Sequence, residues 1–150
     1  MSTTESPEVS TLEQPVSLIM TTGELITADA NDDLAVALEV FRQGRISHIP
    51  ILSDDSKLVG VVSPVDVLKL GSPPQLGKHG RTGVRLSEVM TKNIETVRPN
   101  AHLRQAAQLF VSGGFHSLLV TASDGELVGI ITSSDIIRAL IGQYVPPAAD

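Results

Sequence analysis

Cysteine is absent from this chain of 150 residues, and so is tryptophan. Without thiols there is no disulfide framework, no thiolate nucleophile and no cysteine-based metal site. That composition is compatible with a reducing compartment, and a cytoplasmic location is expected. Aromatic residues contribute only 3% of the chain against 41% hydrophobic residues in all. The core must therefore be aliphatic, built on Val, Ile, Leu and Ala. Positive charge is scarce too, with 11 Lys and Arg against 17 Asp and Glu and a net charge of −6. A general nucleic-acid binder needs a basic surface, so nucleic acid is not the expected partner. No apolar run approaches the ~18 residues that cross a bilayer. No basic stretch followed by an apolar one marks a signal peptide. The expectation is a soluble protein with no membrane partner.

What the chain does have is one stretch written twice. Leu127-Val128-Gly129-Ile130-Ile131-Thr132-Ser133-Ser134-Asp135 repeats Leu58-Val59-Gly60-Val61-Val62-Ser63-Pro64-Val65-Asp66 at an offset of 69 residues. The β-branched residues suit a buried strand. Thr132 with Asp135, and Ser63 with Asp66, have the spacing of a capping box at a helix start. Pro64 sits at the first helical position, where its missing N–H costs nothing. Each copy is thus a strand running into a helix N-terminus, a place with free amide hydrogens and partial positive charge that suits an anion such as phosphate.

The rest of the chain repeats around these junctions. In the first copy, Asn31-Asp32-Asp33 places a cap and two acids at a helix start. Leu34, Ala37, Leu38 and Phe41 then share one helix face, and Gly44 fits its stop. The second copy has Asn100 as cap, Leu103, Ala106 and Phe110 on the face, and Gly113 at the stop. His48–Leu52 reads as a strand that Pro50 confines to an edge or a strand start. Phe115–Val120 is its counterpart. The pairs Met20-Thr21 and Met90-Thr91 open the two copies at an offset of 70 residues, with Met20 and Met90 expected to pack in the core. The expected organisation is a disordered tail at 1–14, a first repeat at 15–70, a Gly/Pro-rich linker at 71–85, a second repeat at 86–143 and a tail at 144–150. Each repeat reads strand, helix, strand, strand, helix. Such a unit is too small to bury its faces alone, so the expected class is α+β with the halves packed together.

In these motifs the chain resembles a tandem pair of CBS domains, named for cystathionine β-synthase. The resemblance rests on the two Met-Thr pairs, the His48-Ile49-Pro50-Ile51 strand and the twin Leu-Val-Gly-x-x-Ser/Thr-x-x-Asp stretches. It implies two βαββα repeats related by pseudo-twofold symmetry, with ligand clefts between the repeats, and a homodimer. It further implies a sensor that binds AMP, ADP or ATP, with S-adenosylmethionine or NAD ranked behind them, and modulates an unidentified regulated protein. No catalytic cofactor is implied. By the same resemblance, Asp66 and Asp135 would hold ribose hydroxyls, with Ser63 and Thr132 meeting phosphate. Thr27-Ala28 and His48-Ile49-Pro50 would flank adenine in one half, and Thr96-Val97 and Ser117-Leu118-Leu119 in the other. The linker cations Lys78, Arg81 and Arg85 are candidates for further phosphate contacts.

The chemistry of these residue types agrees. A carboxylate accepts two hydrogen bonds from a cis-diol, and aliphatic walls suit a purine face. Taken alone, each hydroxyl–aspartate pair is an ordinary helix cap. Within a double motif it is read as a nucleotide site. The copies are not identical: Leu119 stands at the position of Pro50, and His116-Ser117 inverts Ser47-His48. His48, His79, His102 and His116 lack close metal-ligand spacing, and no metal site is expected. No Ser-His-Asp arrangement, nucleophile elbow or carboxylate pair has local support, so catalysis is not expected. The alternative to a sensor is a ligand-free dimerisation or interaction scaffold.

Overall fold

β-branched runs and amphipathic stretches form two units of one topology in the computed structural model, which describes residues 10–23, 25–72, 75–77 and 79–142. One unit spans Gly23–Ile94. The other joins the residues up to Thr22 with those from Glu95 onward.

The Gly23–Ile94 unit contains β1 (Ala28–Asp29), α1 (Leu34–Arg42), β2 (Ile49–Leu52), β3 (Leu58–Val62), α2 (Pro64–Leu68) and α3 (Leu86–Val89). Its sheet has the order β1-β2-β3, with β1 parallel and β3 antiparallel to β2. Leu34, Ala37, Ile49, Ile51, Val62 and Leu86 form its buried core. The other unit contains β4 (Thr96–Val97), α4 (Leu103–Gly113), β5 (Ser117–Thr121), β6 (Leu127–Thr132) and α5 (Ser133–Gly142). Its sheet repeats the pattern as β4-β5-β6. Its buried core is Val16, Val97, Leu103, Ala106, Leu118, Val120, Ile131 and Ile136. Both cores are aliphatic, as the shortage of aromatics requires.

The segment that opens each repeat serves the other repeat's core. Val16 is fully buried among second-repeat residues, and its N–H donates to the Ala101 carbonyl at 2.8 Å. Leu103 N–H donates to the Gln14 carbonyl at 2.8 Å. In the counterpart, Leu86 is buried among first-repeat residues, its N–H donates to the Asp32 carbonyl at 2.9 Å, and Leu34 N–H donates to the Val84 carbonyl at 2.7 Å. Thr21 bridges to Ile130 and Thr91 to Val61. Met20 and Met90 pack on these cores, as the sequence implies. Their packing explains the glycine in each twin stretch. A Cβ on Gly60 would lie 2.6 Å from Met90 Sδ and 2.9 Å from the Thr91 carbonyl oxygen. One on Gly129 would lie 2.7 Å from Met20 Sδ.

Several local expectations need correction. Asp33, not Asn31, caps α1: its carboxylate accepts from Ala35 N–H at 2.9 Å. Asn31 instead bonds Asp54 through its amide. At α4 the cap position is His102 rather than Asn100, with no side-chain cap bond. The left-handed stop there is Gly114, with φ 72°, one residue beyond Gly113. Residues 10–14 are not free: Thr11–Glu13 is a short 3-10 helix, and Glu13 pairs with Arg104 at 2.5 Å. Arg104 holds the Glu13 carboxyl below its ordinary value. Of the two places expected for Pro50, the edge is wrong and the strand start is right: it is the second residue of the central strand β2. It is tolerated because pairing with β1 begins only at Ile51, one residue further on. In the other unit Leu119 at that position donates its N–H to the Glu95 carbonyl at 3.0 Å, a bond a proline cannot make. The end of the linker is tied down: Thr82 N–H, Thr82 Oγ1 and Gly83 N–H all donate to Asp33, at 2.9, 3.0 and 2.9 Å.

Candidate functional site

The register of each sheet gathers the candidate residues at one end. Ile49 pairs with Val62, so the start of β2 lies beside the end of β3 and the β3–α2 junction. β1 runs parallel to β2, and Ala28 pairs with Ile51, so Thr27 precedes β1 at that same end. His48, Ile49, Pro50, Thr27, Ala28, Ser63 and Asp66 therefore converge. In the other unit Ser117 pairs directly with Thr132, and Thr96 with Leu119. Thr96, Val97, Ser117, Leu118, Thr132 and Asp135 converge likewise.

Burial divides these residues. Ile49, Pro50 and Leu118 are fully buried, and Val97 is nearly so. Their side chains belong to the cores, and only their backbones are available to a ligand. Thr27 and Thr96 are exposed, and His48 and Ser117 are half-buried. Because β1 starts late, the backbone of β2 before Ile51 has no ladder partner on its β1 side. Unpaired peptide edges of this kind can pair with the edge of a purine.

Both junctions form capping boxes. Ser63 N–H donates to Asp66 Oδ2 at 2.8 Å, with Ser63 Oγ at 3.3 Å from the same oxygen. Thr132 N–H donates to Asp135 Oδ2 at 2.8 Å, and Asp135 N–H donates back to Thr132 Oγ1 at 3.2 Å. Each carboxylate thus spends one oxygen on its own helix start. The other oxygen meets different partners. Asp66 Oδ1 accepts from Thr91 Oγ1 at 2.8 Å, and Lys69 Nζ stands 3.9 Å away. Asp135 Oδ1 accepts from Arg138 Nη2 at 2.7 Å. The Asp66 side chain is 5% exposed and that of Asp135 15%.

Thr91 is the junction residue that sequence reasoning missed. It was legible as a repeat marker, but it is 25 residues from Asp66, and no local spacing links the two. Arg138 and Lys69, each three residues beyond an aspartate on a helix, carried a readable signal.

The linker cations separate from this end of the sheet. Arg81 and Arg85 line a cleft of about 480 Å³ together with Asn31, Asp32, Asp33, Val36 and Gly83. None of the junction residues lines it. Lys78 lies outside the described residues. Four donated hydrogen bonds lower Asp33 from an ordinary 3.8 to about 2, the Thr82 amide contributing most and the Ala35 amide next. That wall of the cleft is therefore anionic at any ordinary pH. Among the described residues no group of three or more His, Asp or Glu side chains is placed to hold a metal ion. No helix among them is long and apolar enough to cross a membrane.

Comparison with known proteins agrees with this layout. The family model described as CBS domain matches residues 16–72 and 86–142. An uncharacterized protein of Methanocaldococcus jannaschii is 30% identical over 139 residues, covering 74% of this chain and 83% of that protein. Two further curated relatives are longer, and this chain spans 20% and 44% of them. Among solved structures, CBSX2 in complex with AMP superposes with a TM-score of 0.69 at 28% identity, covering 88% of this chain and 99% of that one. The CBS domain pair of a protein named MJ0100, in complex with 5′-methylthioadenosine and S-adenosyl-L-methionine, superposes with a TM-score of 0.70 at 27% identity, covering 86% and 97%.

Proposed function

This chain belongs to the CBS domain family, with two repeats, and from that premise we propose that it is a regulatory module that binds an adenosine-containing ligand and modulates a partner protein. AMP, ADP or ATP is the ligand class we favour. The observation that carries the reading is the convergence, at one end of each sheet, of a helix-start carboxylate with strand residues that lie ahead of the parallel ladder, Ile49 and Pro50 before Ile51 and Ser117 and Leu118 before Leu119. The strand backbone offers peptide groups to adenine, and the carboxylate offers an acceptor to a ribose diol. The complexes of CBSX2 with AMP and of the MJ0100 pair with two adenosine derivatives support the ligand class. Coupling to the partner requires that the ligand bind two conformations with different affinity.

The test is calorimetric titration with AMP and with 2′-deoxy-AMP. AMP is expected to bind. Removing one ribose hydroxyl, or substituting Asp135→Ala, is expected to weaken binding by about 10- to 100-fold, the worth of hydrogen bonds to a charged acceptor. Equal affinity for both nucleotides would remove the ribose role. Because Arg81 and Arg85 line a separate cleft, Arg81→Ala with Arg85→Ala is expected to leave the affinities for AMP and ATP unchanged.

A second reading, a scaffold with no ligand, draws on a specific observation: both carboxylates already have protein partners. Titrations flat across the nucleotides would favour it. Under either reading we propose a homodimer. Its support is the exposed apolar surface on α2 and α5, where Val65, Leu68, Ile137 and Ile141 are each more than half exposed.

A further inference from the structure

The two junctions have the same backbone and different side-chain chemistry. Thr91 and Thr21 make equivalent bridges: Thr91 N–H donates to the Val61 carbonyl at 2.8 Å, and Thr21 N–H to the Ile130 carbonyl at 2.9 Å. Only the Thr91 hydroxyl turns onto its aspartate, at 2.8 Å from Asp66 Oδ1. The Thr21 hydroxyl makes no hydrogen bond among the described residues. We infer that Thr91 is a built-in occupant of the Asp66 junction, so that each chain takes one ligand, at Asp135. This inference rests on the reading that a ribose diol is held by a junction carboxylate.

A diol hydroxyl arriving at Asp66 must displace a hydroxyl of the same chemistry. That hydroxyl is already held in place by a two-bond backbone bridge, against a carboxylate that is 5% exposed. The exchange gains no hydrogen bond and strands the Thr91 hydroxyl. At Asp135 the competing group is Arg138, whose side chain is 71% exposed. A surface pair three residues apart on one helix is weak, and the guanidinium has open water to move into. The second carboxylate oxygen is therefore available at one junction and taken at the other. Pro50 adds to the asymmetry, since the strand edges that would face the base also differ between the units.

Calorimetric titration of AMP into the full chain tests this through its stoichiometry. The wild type is expected to bind one AMP per chain. Thr91→Val keeps the branched shape and the backbone bridge but removes the hydroxyl, and it should raise the count toward two. Thr91→Ser restores a hydroxyl and should return it to one. Asp135→Ala should weaken the wild-type event by about 10- to 100-fold, and in the Thr91→Val background it should leave the new one. Two equivalent AMP sites in the wild type, or a count of one in a folded Thr91→Val, would overturn the inference while leaving nucleotide binding intact. Loss of the wild-type event on Asp66→Ala, with Asp135→Ala unaffected, would do the same. No binding of AMP to either wild type or Thr91→Val would overturn the functional reading itself.

Discussion

Asp33 takes the capping role expected of Asn31 and adds a second that was not expected. It caps α1 through the Ala35 amide and fastens the end of the linker through Thr82 and Gly83. Donors converging on a carboxylate favour its charged form, which is why its pKa falls to about 2. The folded value lies below the ordinary one, so the charge contributes stability in full above pH ~4 and loses it as pH falls toward ~2. Asp33→Asn should therefore lower the urea midpoint at neutral pH. The gap to wild type should close as pH falls through that window. Urea unfolding at stepped pH checks this, and a gap that stays constant to pH ~2 would contradict it. The run Asn31-Asp32-Asp33 was legible as a helix start. That Asp33 also fastens the linker was not, because Thr82 and Gly83 lie roughly fifty positions away. The same limit hid Thr91 as the partner of Asp66, whereas Ser63 and Thr132, three positions from their aspartates, were readable at once.

Strands and helices were legible where a pattern is local. The twin junctions, the α1 and α4 faces and both hairpins follow from periodicity and turn residues. The exchange of opening segments does not, since 14–21 and 84–91 look alike and either would fit either core. Pro50 shows the other kind of limit. It does forbid a ladder bond, but the late start of β1 removes the need for one, and the strand stays central. The exchange makes an element-level prediction. Val16 opens the first repeat yet is buried in the core formed by residues of the second. Val16→Ala removes about two methylene equivalents, worth roughly 1.6 kcal/mol, with a cavity cost added. Amide exchange should show that loss in α4, β5 and β6, with β2 and β3 retaining their protection. Protection lost first in β2 and β3 would contradict the assignment of the opening segment.

At the scale of the molecule, the duplication was the strongest signal in the chain, because two motifs in register constrain each other as one motif cannot. The family was legible through its motifs, but the inequality of the two junctions was not, since it lies in a hydroxyl's direction rather than in a residue's identity. The duplication also bears on assembly. Single exposed apolar residues are ordinary and need no explanation. Leu68 and Ile137 are different: they occupy equivalent positions at the 69-residue offset, on equivalent helices, and are 77% and 53% exposed. A surface kept apolar in both copies is what an interface between two chains requires, since each chain then offers two matching patches to a symmetric partner. Leu68→Glu with Ile137→Glu places charge in both patches without touching either core. Exposed substitutions of this kind cost folding little, typically within about 0.5 kcal/mol. Light scattering coupled to size-exclusion chromatography should then show a dimer for wild type and a monomer for the double variant, with unchanged circular dichroism. A double variant that remains dimeric would move the interface away from α2 and α5, and a wild type that is monomeric at high concentration would remove the dimer altogether.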